Sequence, residues 1–249
     1  MKWLVQNLGS RLRYAMQNPG YAASSLIREA TWSDERFLSA ITGVSASRIR
    51  SFLDEPMEMA EFAECLRKAA VFFHEAEIES ADLYAKKILV QYAAVRAFAP
   101  EVVVETGVAS GVSSSYLLLA MQKNGRGRLH SIGLDDPHFL PPGKAPGWIV
   151  PDWLKSNWQL HLGDAREILP GLLKELGSVD VFIHDSLHTY EHMLWEFRAA
   201  FPYIRAGGLL FCDDALWNSA FREFSAEAGV ARARILRGVG FLQKNSEAK

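Results

Sequence analysis

The stretch VVVETGVASGVSS, residues 102–114, decides the fold of this chain. Its first three valines form a short apolar run that is typical of a buried strand. Gly107 and Gly111 bracket a tight turn after this strand, and the serines from Ser113 onward can cap the helix that follows. A strand, a glycine turn and a helix in this order predict an α/β unit whose ligand lies at the carboxyl end of the strand.

The glycine turn differs from the two phosphate-binding loops that commonly follow a first strand. A dinucleotide-binding turn reads G-x-G-x-x-G, whereas this turn reads G-x-x-x-G, and Val112 stands where a P-loop has lysine. Glu105, at the end of the strand, would repel phosphate groups but can meet a cation or a hydroxyl group. The turn therefore indicates another kind of ligand, and an ordinary tight turn is the alternative.

After Pro100 the chain alternates short apolar runs with helical patterns. Runs that are apolar on both faces are typical of central parallel strands covered by helices on each side. The fold class is therefore α/β: a doubly wound, mostly parallel, seven-stranded sheet of Rossmann-like type with a helical N-terminal extension. The last two strands are expected to form a closing hairpin, with one of them antiparallel. The predicted strands cover residues 102–105, 129–132, 158–162, 179–184, 209–212, 234–236 and 240–243.

The N-terminal part has the apolar spacing of helices, and we expect residues 1–79 to form a lid or oligomerisation region before a domain at 80–249. Within it, LSAITGVSASRIRSFLDE, residues 38–55, is similar to the helix-turn-helix of DNA-binding proteins. Residues 1–100 carry twelve basic and twelve acidic residues, and Asp54 and Glu55 would face phosphates unfavourably. A helical hairpin in a lid or dimer contact is favoured over DNA binding.

The composition is that of an ordinary globular protein: 249 residues, 49% hydrophobic and 22% charged, with a net charge of -2. This balance predicts no nucleic-acid partner. Cys65 and Cys212 lie in apolar contexts, so a reducing cytoplasm is expected. With no run of eighteen apolar residues and no signal-peptide core, we expect no membrane partner. The helical spacing in residues 3–15 favours packing onto the protein or a second subunit over an interfacial membrane helix.

Carboxylates gather at the ends of the fourth and fifth predicted strands. The fourth strand is followed by Asp185, and the fifth runs into the adjacent Asp213 and Asp214, here called the acidic pair. Since these strands are neighbours in a doubly wound sheet, three carboxylates share a small volume. They can be tolerated there if they are partly protonated, or if a divalent cation such as Mg²⁺, Mn²⁺ or Ca²⁺ lies among them. Capping of the following helix or loop is the alternative for each aspartate.

Histidines surround the first of these aspartates. His188 is a candidate metal ligand or general base, because imidazole titrates near neutral pH. His184 and His192 are expected to be structural. A Pro- and Gly-rich loop at residues 135–147 is long enough to be functional. Candidate walls for a substrate ring or sugar face are Trp148, Trp153 and Trp217.

From about Ser80 onward the chain resembles the metal-dependent small-molecule O-methyltransferases of class I, which use S-adenosylmethionine. It is most similar to the branch of macrolide-sugar methyltransferases and cephalosporin-hydroxylase-like proteins. In catechol and sugar O-methyltransferases, an aspartate after the fourth strand and an acidic pair after the fifth hold Mg²⁺, which implies Asp185, Asp213 and Asp214 as metal ligands. His188 stands where the catechol enzymes have their base, so His188 and Asp185 are implied to be catalytic. The motifs that carry the resemblance are VVVETGVASGVSS, LHSIGLDDP, LHLGDAREILP, VDVFIHDSLHTYEHM and AGGLLFCDDALWNSAF.

The resemblance also implies which residues hold S-adenosylmethionine, with the glycine turn along its methionine part and the G-D-A motif near its adenine. The family usually ends its second strand with an acid that holds the ribose hydroxyls, but Gly133 stands there, so Asp135 or Asp136 must reach back. The implied cofactor-binding residues are Glu105, Thr106, Gly107, Gly111, Ser113, Asp135, Asp164, Ala165 and Asp185.

The expected activity is S-adenosylmethionine-dependent, divalent-metal-assisted O-methylation of a small-molecule hydroxyl on a sugar, a phenol or another natural product. A homodimer is expected from the long helical N-terminus. Two alternatives belong to other classes: a cofactor-binding regulator that reads DNA, and another metal-dependent enzyme with the same carboxylates. A basic surface around Arg48 and Arg50 would favour the regulator.

Overall fold

The computed structural model describes residues 34–64, 78–136, 138, 140–230 and 232–245. The apolar segment at residues 3–15 and Cys65 lie outside these ranges. Within them, none of the helices combines the length and the apolar character that crossing a membrane requires.

The N-terminal hairpin packs on a long helix that leads into the sheet. Helices α1 (Asp34–Thr42) and α2 (Ala46–Glu58) are joined at Gly43, and the side chain of Ser45 caps α2 by accepting from the backbone N–H of Arg48. Both contact helix α3 (Ile78–Phe98). Apolar side chains on their inner faces are buried, and residues 60–64 are also helical. The segment similar to a helix-turn-helix is thus a hairpin in shape, and its role stays a prediction.

The sheet has seven strands in the order β3-β2-β1-β4-β5-β7-β6. The first five run parallel, and β7 is antiparallel to both β5 and β6. The predicted fold class is confirmed, including the closing hairpin; β5 begins five residues earlier than predicted. The elements are β1 (Val102–Thr106), α4 (Val112–Asn124), β2 (Arg128–Gly133), a 3-10 helix (Asp152–Asn157), β3 (Trp158–Leu162), α5 (Ala165–Leu176), β4 (Val179–His184), α6 (Tyr190–Ala200), a 3-10 turn (Phe201–Tyr203), β5 (Ile204–Cys212), α7 (Ala220–Glu227), β6 (Arg232–Leu236) and β7 (Val239–Gln243).

The central strands are apolar throughout because both faces of the sheet are covered. Val103 and Phe211 face a buried cluster that includes α3 and α4, whereas Val104 and Phe182 face a second cluster built by α5, α6 and α7. Successive side chains of a strand point to opposite faces, so an uninterrupted apolar run can fill both clusters.

Register places the ends of three strands at one edge. Thr106 of β1 pairs with His184 of β4, which pairs with Cys212 of β5. The ladder continues one step further, since Asp185 N–H donates to the Thr106 carbonyl at 2.9 Å and Asp213 N–H donates to the His184 carbonyl at 2.8 Å. The chain segments that carry the glycine turn, Asp185 and the acidic pair therefore leave the sheet next to one another.

Candidate active site

Two predicted metal ligands meet one predicted base at this edge. Ligand atoms of Asp185, His188 and Asp213 lie within 4.8 Å of one another. Two carboxylates and an imidazole are a donor set that suits a divalent cation, so the residues fit the metal that the resemblance implies. Asp214 is not part of this convergent group, so the predicted set of Asp185 and the acidic pair stays a prediction. Both members of the acidic pair also contact a residue that was not predicted.

That residue is Lys87, from helix α3. Its Nζ lies 2.8 Å from Oδ1 and 3.0 Å from Oδ2 of Asp213, and 3.0 Å from Oδ1 of Asp214. Burial disfavours the ammonium, but the two carboxylates outweigh it and raise the pKa of Lys87 above its ordinary value. The positive charge of Lys87 therefore compensates the two adjacent aspartates at the end of the buried strand β5. Sequence reasoning missed it, although a lysine next to buried Ile88 was a signal.

The electrostatics of the other two residues favour uncharged forms. Burial and the neighbouring carboxylate of Asp213 raise the pKa of Asp185 well above its usual value. Burial, reinforced by His184, lowers the pKa of His188 to about 4. His188 is thus neutral near pH 7, and within the described residues its buried Nε2 has no hydrogen-bond partner. The imidazole lies 5.7 Å from the ring of Trp217 and can accept a proton there.

Glu105 at the end of β1 is fully buried and held by serines. Its carboxylate accepts from Ser113 and Ser114 at 2.7 Å each and from Ser131 at 2.8 Å. Burial raises the pKa of Glu105, and the serine hydroxyls oppose that rise. In this structure the acid and Ser113 fasten β1 to β2 and α4. Their predicted contact with a cofactor stays a prediction.

The glycines of the turn permit two close approaches. Gly107, with φ of +89°, lies against the Asp185 backbone, and Gly111, with φ of +91°, lies against Gly147. The turn is also tied to the end of the Pro-rich loop, because Gly147 N–H donates to the Ala109 carbonyl at 2.9 Å. The predicted loop therefore reaches the turn. Thr106, between strand and turn, directs its hydroxyl into the core.

At the end of β2, Val108 of the glycine turn lies beside Gly133. A Cβ at Gly133 would lie 3.0 Å from Cβ of Val108, so this side chain of the turn fills the space. Asp135 is exposed, whereas Asp136 accepts from His138 N–H at 2.9 Å. In the G-D-A motif, the side chain of Asp164 caps α5 by accepting from the backbone N–H of Arg166. Ala165 is buried.

A second group of polar residues lies directly behind the site and was not predicted. Glu196 on α6 is fully buried. One carboxylate oxygen accepts from Thr106 Oγ1 at 2.7 Å and lies 2.6 Å from His184 Nδ1; the other accepts from Ser186 at 2.8 Å and lies 2.9 Å from His192 Nε2. His184 and His192 are thus engaged with this glutamate. An acid among Met193 and Phe197, on the buried face of α6, was the signal that sequence reasoning could have used.

The strand order and the glycine turn after β1 are those of the Rossmann-like fold found in class I methyltransferases. Residues 104–215 match a family model described as a methyltransferase domain. The recognition made from the sequence is confirmed for this segment, which is similar to a methyltransferase domain.

Similar proteins include one relative by sequence and two solved structures that share the fold. Demethylmacrocin O-methyltransferase of Streptomyces fradiae is 37% identical over 105 residues, which are 39% of this chain and 26% of that protein. The match thus spans about a quarter of that relative. Among solved structures, the O-methyltransferase TomG of Streptomyces achromogenes, in complex with SAM, has a TM-score of 0.56 at 20% identity over 74% of this chain and 90% of its own. CalS11, a TDP-rhamnose 3'-O-methyltransferase of calicheamicin biosynthesis, has a TM-score of 0.51 at 19% identity over 75% and 95%.

Proposed function

We propose that this chain transfers the methyl group of S-adenosylmethionine to a hydroxyl oxygen of a small molecule. The observation that carries the proposal is His188, a neutral imidazole whose Nε2 is buried without a partner among the described residues, beside Asp185 and opposite Trp217. A base held uncharged near neutral pH can take the proton of an attacking hydroxyl. It lies at the strand edge where ligands of this fold bind.

The glycine turn after β1 would receive the cofactor. Its backbone is fixed by β2 on one side and by Asp185 on the other, since Gly107 N–H donates to the Ile132 carbonyl at 2.9 Å. A rigid turn beside the base would hold the methyl group near the acceptor oxygen, and such positioning supplies a large part of the rate enhancement in bimolecular reactions. Asp135 would contact the ribose, and Asp164 and Ala165 would lie near the adenine.

A divalent cation, with Mg²⁺ proposed first, would be held by Asp185 and Asp213, together with Asp214 as the third predicted ligand. When bound, such a cation lowers the pKa of a substrate hydroxyl. The protein's own contribution is to direct two carboxylate oxygens to one point and to keep Nε2 of His188 ready for the proton. The carboxyl group of Asp185 lies 3.8 Å from that nitrogen.

The acceptor is proposed to be a hydroxylated natural product, with a sugar hydroxyl first. Support comes from the 37% identity to Demethylmacrocin O-methyltransferase over 105 residues. Trp217 beside His188 offers an aromatic face of the kind that packs against sugar rings. A homodimer and a location in the cytoplasm belong to the same proposal.

The test begins with calorimetric binding of S-adenosylmethionine, followed by transfer of a labelled methyl group to a panel of sugar, phenol and polyketide hydroxyls, with Mg²⁺ or with EDTA. His188→Ala should lower the rate by about 10²–10⁴-fold and leave cofactor affinity within about twofold. The matched control is His161→Ala, because His161 lies on the edge strand β3. Failure to bind the cofactor would overturn the proposal, as would full activity of His188→Ala.

A further inference from the structure

Lys87, which lies outside the sheet, places a positive charge in the proposed metal site. It lies on α3, ahead of the glycine turn, and its side chain and those of both acidic-pair residues are only 11–12% exposed. Its neighbour Ile88 is buried in the core, so the backbone of this helical turn is anchored. The long, flexible side chain can still move its ammonium between acceptors.

The ammonium and a metal would compete for the same oxygens. Both oxygens of Asp213 lie within 3.0 Å of Nζ. Asp213 is also one of the three residues whose ligand atoms converge, together with Asp185 and His188. A cation that binds Asp213 must therefore displace the ammonium from at least one oxygen. Asp214, which already accepts from Nζ at 3.0 Å, offers the displaced ammonium a partner.

We propose that Lys87 is an internal counter-cation that exchanges with the divalent metal. Without metal, the ammonium compensates both members of the acidic pair. When a cation binds Asp185 and Asp213 beside the uncharged His188, the ammonium retracts to Oδ1 of Asp214. The acidic pair is then compensated in both states, so folding does not depend on metal, and the affinity for metal is lower than three carboxylates alone would give. The inference rests on the proposed function, because it concerns the metal site named there.

The first test is the affinity for Mn²⁺, followed through the electron paramagnetic resonance signal of the free aquo ion. Lys87→Met should bind Mn²⁺ about tenfold more tightly than the unaltered protein, or better, since a unit charge a few ångströms from a divalent ion changes its binding by more than a decade. Lys87→Arg keeps the charge and should bind no more tightly than the unaltered protein. The control is Lys174→Met, an exposed lysine on α5, which should leave the affinity unchanged.

The second test is thermal unfolding in EDTA and in Mn²⁺. Lys87→Met should melt several degrees lower than the unaltered protein in EDTA and regain most of the loss in Mn²⁺, because the metal replaces the missing cation. The unaltered protein should shift much less between the two conditions. If Lys87→Met does not fold, Lys87→Gln, which keeps a donor without charge, carries the same affinity comparison.

Equal Mn²⁺ affinities of Lys87→Met, or of Lys87→Gln in its place, and the unaltered protein would overturn the exchange. So would destabilisation that Mn²⁺ does not relieve, and so would absence of Mn²⁺ binding in every variant. Binding of S-adenosylmethionine, measured on the same samples, separates these outcomes from a failure of the proposed function. A protein that binds the cofactor but shows no exchange remains a methyltransferase candidate with a structural Lys87.

Discussion

Gly107 lies directly against the backbone of Asp185: a Cβ on Gly107 would meet the Asp185 carbonyl oxygen at 1.9 Å. The contact joins the turn that would hold the cofactor to the first residue of the carboxylate group. Asp185 N–H also donates to the carbonyl of Thr106, so the two segments are hydrogen-bonded at the residue before the glycine. The relative position of the glycine turn and Asp185 is therefore set by backbone atoms.

Gly107→Ala should unfold the site or the protein. The added methyl group clashes with a backbone carbonyl and also requires an L-residue at φ of +89°, so we expect a loss of at least about 3 kcal/mol in the free energy of unfolding. Gly143→Ala is the control, because Gly143 has φ of +72° but open space around it, and should lose only about 1–2 kcal/mol. Urea denaturation measures both, and equal losses would show that the contact is looser than described.

Asp135→Asn should weaken S-adenosylmethionine binding about tenfold, since a carboxylate that accepts from the ribose hydroxyls contributes roughly a decade of affinity. Asp136→Asn should change the affinity less than about twofold, because Asp136 already accepts from His138. Calorimetry with S-adenosylmethionine and with S-adenosylhomocysteine distinguishes the two. The reverse order of effects would assign the ribose contact to Asp136, and two unchanged affinities would mean that neither aspartate makes it.

Glu196→Gln should destabilise the protein by about 2–4 kcal/mol at pH 7. The NH₂ group of the glutamine would face hydrogen-bond donors that at present donate to the carboxylate, so these donors would lose their acceptor. Burial by itself would raise the pKa of Glu196. The charge of His184 and the hydrogen bonds from His184, His192 and Thr106 outweigh burial and lower this pKa below its ordinary value. A lowered carboxyl pKa stabilises the folded state above the unfolded pKa, near 4.5, and this stabilisation is lost as the pH falls.

The difference between the unaltered protein and Glu196→Gln should therefore be largest above about pH 5 and shrink by up to about 1.4 kcal/mol per pH unit below about pH 4.5. Urea unfolding between pH 3.5 and 7 measures it. Glu223→Gln, an exposed acid on α7, is the comparison and should show a much smaller effect. A difference that is constant with pH would mean that the charge of Glu196 contributes nothing.

Tyr92→Phe should loosen the attachment of the N-terminal hairpin. Tyr92 is fully buried on α3, and its hydroxyl donates to Glu55 of α2 at 2.6 Å. The change removes one hydrogen bond to a charged group, for an expected loss of about 1.5–3 kcal/mol, and should speed proteolysis near Gly43. Tyr116→Phe is the control, since the Tyr116 ring packs edge-on against Tyr92 and no hydrogen bond of its hydroxyl is recorded among the described residues. Matching losses would exclude the Glu55 contact as the cause.

Much of the fold was predictable because it depends on signals within each segment. The valines of β1 and the apolar run of β5 showed that both faces are buried, and the glycines marked the turn between β1 and α4. The start of β5 was missed because Ile204 and Arg205 precede two glycines, which end an apolar pattern without ending the strand. Because β5 is hydrogen-bonded to neighbouring strands, it continues through those glycines.

The sequence by itself determined the α/β class, the position of the glycine turn, and the placement of Asp185 and the acidic pair at neighbouring strand ends. Only the tertiary structure decided what those residues contact. Lys87 is 126 positions from Asp213, and Glu196 meets its histidines on the buried face of α6. Periodicity records that a residue faces inward, but it does not record which distant element it meets there. That depends on how α3 and α6 are rotated as they pack on the sheet, which the whole core determines at once.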